Sequence, residues 1–302
     1  MRYGTRGSAL ALAQSGMVAR ALERAAGRTI ERVVITTSGD RFSREQPPEP
    51  SSGAAPNVKA MFVKEIEEAL LAGTIDFAVH SAKDMPAALP EGLIIAAVPA
   101  REDPRDAFIP GPGVGALSSV GPGAVIATGS VRRQAQLRLA CPQGVSFQAI
   151  RGNVDTRLKR VERGEFAGIV LAVAGLKRLG LGGRAHEPLP PELVVPAPGQ
   201  GALVLEARAD RPEALAALRT IDDERTRLEL DCERALLAAM GGGCQTPLGA
   251  LARVAGGRVA LRAFWMDGSG KRAVARAAEG PAAEGPALAR RLADELLAAA
   301  RA

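Results

Sequence analysis

Apolar residues recur along this chain at two spacings, and polar or glycine-bearing turns separate the stretches. Residues 2–5 read as a short strand. Leu10, Ala13, Met17, Ala21 and Leu22 share one helical face, so a helix runs from a Ser8 cap to about Ala26, where Gly27 ends it. Val33, Val34 and Ile35 centre a strand over 30–37. Residues 41–57 are rich in Pro, Ser and Glu and have no period; a loop of this length is either disordered or a lid. Phe62, Ile66, Ala69 and Leu70 define an amphipathic helix over 61–72, stopped by Gly73. Strands follow over 75–79 and 93–98, the second apolar throughout, as in a strand covered on both faces.

After a proline-bounded hinge at 99–104 the pattern becomes a series of strand-turn-helix units. Strand 124–127 leads through Thr128-Gly129-Ser130 into helix 131–140. Strand 145–150 leads through Arg151-Gly152-Asn153 into a helix ending near Arg163, and strand 169–173 leads into helix 175–179. Such alternation predicts a parallel α/β sheet. A second proline and glycine crossing at 196–201 precedes strand 202–208, where the chain returns to the first domain. Helix 222–240, strands 248–254, 258–264 and 272–277, and a helix from Pro286 make a small α+β domain. The predicted fold is α/β, with two lobes built on mainly parallel sheets and a C-terminal α+β domain. The predicted domains are 1–98 with 200–219, then 104–195, then 221–302.

Composition narrows the function classes. The chain has 302 residues, enough for two or three domains, and 3% aromatics, so its cores must be aliphatic. Three widely spaced cysteines suggest no disulfide framework and fit a reducing compartment. No apolar signal segment or membrane-length run occurs, so a cytoplasmic protein is expected. The net charge is +6, and arginine far outnumbers lysine, which suits planar gripping of carboxylates or phosphates. A nucleic-acid binder would interleave aromatics with its basic residues, and this chain does not.

The candidate chemistry lies in three places. Gly241-Gly242-Gly243 cannot continue the preceding helix, and they set Cys244 on an open turn before Pro247. Two readings stand there: a small buried hydrophobe, or a thiol offered to a bulky group. Cys141 and Cys232 fit the first reading. Between Thr128 and Arg163, Arg132, Arg133, Arg138, Arg151, Arg157, Lys159, Arg160 and Arg163 stand against only Asp155 and Glu162. Arg132, Arg133 and Arg151 sit at strand-to-helix junctions, where free N–H groups and the helix dipole favour anions. Arg138, Arg160 and Arg163 read as a solvated basic face. Lys83-Asp84 follows a strand end and reads either as a surface ion pair or as a catalytic acid/base. The two histidines, His80 and His186, form no cluster with cysteines, so no metal site is expected.

Several stretches, taken in order, resemble the porphobilinogen deaminase family over essentially the whole chain. They include Gly4-Thr5-Arg6-Gly7-Ser8-Ala9-Leu10, Phe62-Val63-Lys64-Glu65-Ile66-Glu67, and His80-Ser81-Ala82-Lys83-Asp84-Met85-Pro86. Others are Arg101-Glu102-Asp103-Pro104-Arg105-Asp106-Ala107-Phe108, Ser130-Val131-Arg132-Arg133-Gln134, and Arg151-Gly152-Asn153-Val154-Asp155-Thr156-Arg157. Leu176-Lys177-Arg178-Leu179-Gly180, Pro198-Gly199-Gln200-Gly201-Ala202 and Gly242-Gly243-Cys244-Gln245-Thr246-Pro247 complete the set.

The resemblance implies two periplasmic-binding-protein-like lobes and a third, cysteine-bearing domain. It implies a transferase that joins four porphobilinogens, releases ammonia, and frees hydroxymethylbilane. A dipyrromethane cofactor would be held on Cys244 as a thioether. Lys83, Asp84, Ser130, Arg132 and Arg133 would bind that cofactor, and Arg6, Ser8, Arg151, Arg157 and Arg178 would bind substrate. Asp84 would be the catalytic aspartate, stabilising the cationic azafulvene left by ammonia. A monomer that passes its product to uroporphyrinogen-III synthase is expected, without membrane or nucleic acid. The family's Gly-rich run before the lysine at position 59 is here Ala55-Pro56-Asn57-Val58, so no role is carried over to Lys59. A two-lobed transport protein would share the arginines but would not need Cys244 on a glycine turn.

Overall fold

The computed structural model describes residues 1–39, 60–141, 143–150, 152–184, 186–241, 247–267, 270 and 272–301. They form two compact units, Met1–Arg101 with Ala202–Arg227, and Glu102–Gly201 with Leu228–Ala302.

In chain order the first elements are β1 (Arg2–Thr5), α1 (Ala9–Ala26), β2 (Glu31–Val34), α2 (Ala60–Leu71), β3 (Phe77–Ser81) and β4 (Leu93–Ala97). The Ser8 hydroxyl accepts from the Ala11 N–H to start α1, and Gly27 closes it at φ 60°. β2 is shorter than the 30–37 expected from its β-branched run. Its partner β1 ends at Thr5, opposite Val34, so the ladder has nothing further to pair with. The middle elements are β5 (Asp106–Pro110), β6 (Val125–Ala127), α3 (Val131–Ala140), β7 (Ser146–Gln148), α4 (Val154–Glu162), β8 (Gly168–Ala172), α5 (Val173–Arg178) and β9 (Glu187–Pro188). β10 (Leu203–Arg208), α6 (Pro212–Arg219), α7 (Glu224–Ala239), β11 (Leu248–Ala255), β12 (Arg258–Met266), β13 (Ala273–Pro281) and α8 (Gly285–Arg301) follow.

The two large sheets share one topology. Their orders are β2-β1-β3-β10-β4 and β7-β6-β8-β5-β9. β1 runs parallel to β2 and β3, whereas β10 runs antiparallel to β3 and β4. Likewise β6 is parallel to β7 and β8, and β5 is antiparallel to β8 and β9. Each sheet therefore has four strands in one sense and a single reversed strand. The reversed strands are the two that follow the crossings at 99–104 and 196–201. β5 was not anticipated, because five residues opening on Asp106 and closing on Pro110 carry no readable period.

Aliphatic side chains fill both sheet faces. Leu22, Leu205 and Leu218 pack with Phe77 on one side of the first sheet, and Ile66, Leu70 and Ile75 on the other. In the second unit Phe108, Leu137 and Val170 form one cluster, and Leu158, Ile169 and Leu176 the other. Each fully buried side chain contributes about 1.5–3 kcal/mol. β11, β12 and β13 form a separate antiparallel meander on which α8 packs. Gly249 lets this meander approach residue 195, where a Cβ would lie 2.7 Å from the Val195 carbonyl oxygen. Among the described residues, no helix is long and apolar enough to cross a membrane.

Candidate active site

In a sheet ordered 2-1-3 the first connection leaves to one side and the next crosses back, which opens a crevice at the carboxyl ends of strands 1 and 3. Both units have that order; Arg6, Ser8, Lys83 and Asp84 follow those ends in the first and Ser130, Arg132, Arg133 and Arg178 in the second, whereas Arg157 follows β7.

In the first unit, Arg6 and Ser8 follow β1, while Lys83 and Asp84 follow the adjacent parallel strand β3. The Arg6 guanidinium lies 4.0 Å from the centre of the Phe62 ring. Lys83 and Asp84 occupy a single 3-10 turn, Ala82–Asp84, and both are half-buried. Three contacts fix the strand end they project from. The Ser81 hydroxyl donates to the Gln14 side chain at 3.2 Å. The Ala82 N–H donates to the Ala202 carbonyl at 3.1 Å, and the Met85 N–H closes the turn onto the Ala82 carbonyl. On the α2 face of β3, His80 Nε2 lies 3.1 Å from the fully buried Glu206 carboxylate, though not aligned as a hydrogen bond. Burial and the Glu206 charge push the nearby Glu67 carboxyl up to about 7, against the opposing pull of His80.

In the second unit, Ser130 caps α3 just past β6, and its hydroxyl accepts from the Arg133 N–H. Arg132 and Arg133 turn back onto Asp106, the first residue of β5, which is fully buried. Asp106 Oδ2 accepts from Arg132 Nη2 at 2.7 Å. Oδ1 accepts from Arg133 Nε and Nη2 at 2.9 and 2.6 Å, and from Gln200 Nε2 at 3.0 Å. Arg132 also donates to the Val195 carbonyl at 2.6 Å, and Arg133 to that of Val170 at 2.9 Å. Burial alone would raise the Asp106 carboxyl, but the two guanidinium charges hold it well below the usual range. Two cations against one carboxylate leave the cluster net positive.

Two further arginines add to that field. Arg157 donates to the Gly152 carbonyl at 2.8 Å, and burial together with the charge of Arg133 lowers its pKa. Arg178, on α5 past β8, donates to the Gly201 carbonyl at 2.6 Å, and burial lowers it to about 10, with Glu102 pulling the other way. Arg138 and Arg160 lie over the rings of Phe147 and Phe166, as surface arginines do. Cys141 and Cys232 are free and buried, and burial pushes the Cys232 thiol up to about 12. No group of His, Cys, Asp and Glu among the described residues has the arrangement of a metal site. The expectations for Cys244, Arg151, Lys59 and the 41–57 loop lie outside the described residues.

Sequence reasoning missed Asp106 and Gln200 as members of the cluster. Both lay in stretches that carry the family resemblance, but an acid among Arg101-Glu102-Asp103-Pro104-Arg105 looks like surface charge.

Two family models match this chain. One, described as porphobilinogen deaminase, dipyromethane cofactor binding domain, covers residues 1–216, and the porphobilinogen deaminase C-terminal domain covers 227–298. The porphobilinogen deaminase of Roseiflexus sp. (strain RS-1) is 46% identical over 97% of this chain and 94% of that one. Porphobilinogen deaminase 1 of Streptomyces avermitilis is 45% identical over 99% of this chain and 95% of its own. Among solved structures, an ABC transporter periplasmic substrate-binding protein from Coxiella burnetii aligns at 12% identity with a TM-score of 0.44, covering 75% of this chain and 94% of that one.

Proposed function

The chain belongs to the porphobilinogen deaminase family, and from that premise we propose how its residues divide the work of a hydroxymethylbilane synthase. The enzyme is a transferase of tetrapyrrole biosynthesis that joins four porphobilinogens head to tail, with loss of four ammonia molecules, and releases the linear tetrapyrrole. When bound, dipyrromethane supplies the primer whose terminal pyrrole carbon accepts each new ring. The observation that carries the reading is the match of both family models along the chain.

The donor set of the second unit suits a polycarboxylate. Each pyrrole brings an acetate and a propionate, and the cluster of Arg132, Arg133 and Asp106 keeps a net positive charge at the α3 N-terminus. We assign Arg132, Arg133, Ser130 and Lys83 to the cofactor's acids, with Asp106 holding the two guanidinium groups in place. Arg157 and Arg178, both held below their ordinary pKa by burial, gain most from an arriving anion. They, with Arg6, Ser8 and Arg151, are assigned to substrate. Asp84 is assigned to the chemistry, where its carboxylate would stabilise the positive charge that develops as ammonia leaves and would hold the proton in transit.

Cys244 is the proposed thioether anchor, in a third domain over 221–302; the other two domains of the proposal are 1–98 with 200–219, and 104–195. A cytoplasmic monomer that passes its product to uroporphyrinogen-III synthase completes the reading. Intact mass tests the anchor directly. The purified protein should exceed its polypeptide mass by two linked pyrroles, and Cys244→Ser should not. Retention of the excess mass in Cys244→Ser would move the anchor elsewhere.

A further inference from the structure

A cavity of about 480 Å³ opens within the second unit, beside the arginine cluster but lined by none of the residues assigned to cofactor or substrate. Its lining includes apolar Leu139 of α3, Val195 and Phe264 of β12, and two arginines, Arg262 and Arg276. Leu139 is 61% exposed, which leaves a large apolar side chain facing open space. Arg262 is paired with Glu192 at 2.9 Å. Arg276 donates to the carbonyl of its own neighbour, Ala275, at 2.9 Å, so the lining, with two arginines against Glu192, carries net positive charge.

One lining residue, Val195, is wired to the cluster. The Val195 N–H donates to Gln136 Oε1 at 2.7 Å, and the Val195 carbonyl accepts from Gln136 Nε2 at 3.1 Å and from Arg132 Nη1 at 2.6 Å. Anything that displaces Val195 therefore acts on the guanidinium that grips Asp106. Volume, apolar walls and a few charged groups at a junction of two substructures are the marks of a small-molecule site.

We propose that this cavity binds a small amphiphilic carboxylate, with its apolar body against Leu139, Val195 and Phe264 and its acid at Arg276, and that occupancy is felt at Arg132 through Val195. The class follows from charge and shape: an uncharged ligand would leave the arginine unused, and a compact polar acid would leave the apolar walls uncovered.

The test uses the cofactor-loaded enzyme and 8-anilinonaphthalene-1-sulfonate as a fluorescent probe. Saturable binding is expected, weakened about tenfold or more by Arg276→Glu and by Leu139→Asp. Decanoate should displace the probe and decanol should not. Saturating decanoate should change the parent's turnover about twofold while leaving both variants unmoved. Both positions are exposed; if Leu139→Asp disturbs α3, Ala277→Glu on the exposed β13 surface makes the same test. Equal probe affinity in parent and variants, or displacement by decanol as readily as by decanoate, would overturn the site. Binding that leaves turnover unchanged would overturn its link to Arg132.

Discussion

Asp106 and Asp84 show two ways for a carboxylate to serve one polyanion-handling enzyme. Asp106 is sealed away and holds Arg132 and Arg133 by charge-assisted hydrogen bonds. Removing its charge leaves the buried Arg132 and the part-buried Arg133 without their partner, and breaking a buried pair typically costs about 3–5 kcal/mol. Asp106→Asn should therefore lower the urea midpoint strongly at pH 7. The sign of the pH effect follows from the depressed carboxyl. Its contribution is present above the unfolded value of 3.8 and is lost as pH falls towards the folded one, so the gap between Asn variant and parent should narrow in acid. A gap that stays constant from pH 7 to below 3.8 would mean that the charge is not what stabilises the cluster. Asp84, half-buried on the turn that follows β3, is the carboxylate proposed above for the chemistry. Asp84→Ala should melt within a few degrees of the parent and lose nearly all turnover. Near-normal turnover in that folded variant would remove Asp84 from the catalytic role.

At the scale of elements, the end of β3 is held from both faces of its sheet. Ser81 reaches Gln14 on the α1 side, and His80 meets Glu206 on the α2 side. Glu67 lies close enough to feel both charges, and its carboxyl sits at about 7 rather than 4.5. A raised carboxyl favours the protonated folded chain, so its contribution is complete below 4.5 and is lost as pH climbs through about 7. Glu67→Gln has no proton to give up there. Its melting temperature, compared with the parent's, should rise across that window; a difference that does not change with pH would sink the assignment. Elements with a clear period were legible in the sequence: α1 with its Ser8 and Gly27 caps, α2, α3 and the β11-β12-β13 meander. β5 and β9 were not, because a strand of two to five residues takes its stability from neighbours distant in the chain, as β5 does from β8 and β9. The same distance hid the partner of the arginine pair. The junction after β6 marked Arg132 and Arg133 as seeking an anion, but only the antiparallel entry of β5 brings Asp106 to them.

Across the whole molecule, the charge is arranged for a ligand that becomes more anionic as it grows. The chain is +6 overall, and among the described residues the arginines whose pKa burial lowers, Arg132, Arg157 and Arg178, lie in the second unit. Their lowered pKa values mean that burial has removed water without fully replacing it, and an incoming carboxylate restores that balance. Free porphobilinogen carries two carboxylates at neutral pH, so its capture should depend on long-range attraction. The Debye length shrinks from about 10 Å at 0.1 M salt to about 3 Å at 1 M. Raising sodium chloride from about 0.05 to about 0.5 M should therefore raise KM for porphobilinogen about threefold or more, while kcat changes far less. The chemical step takes place among close, partly buried groups, which salt screens weakly. A KM indifferent to salt would mean that shape, not the arginine field, selects the substrate. A kcat that fell in step with rising KM would place the salt-sensitive contacts in the transition state rather than in capture.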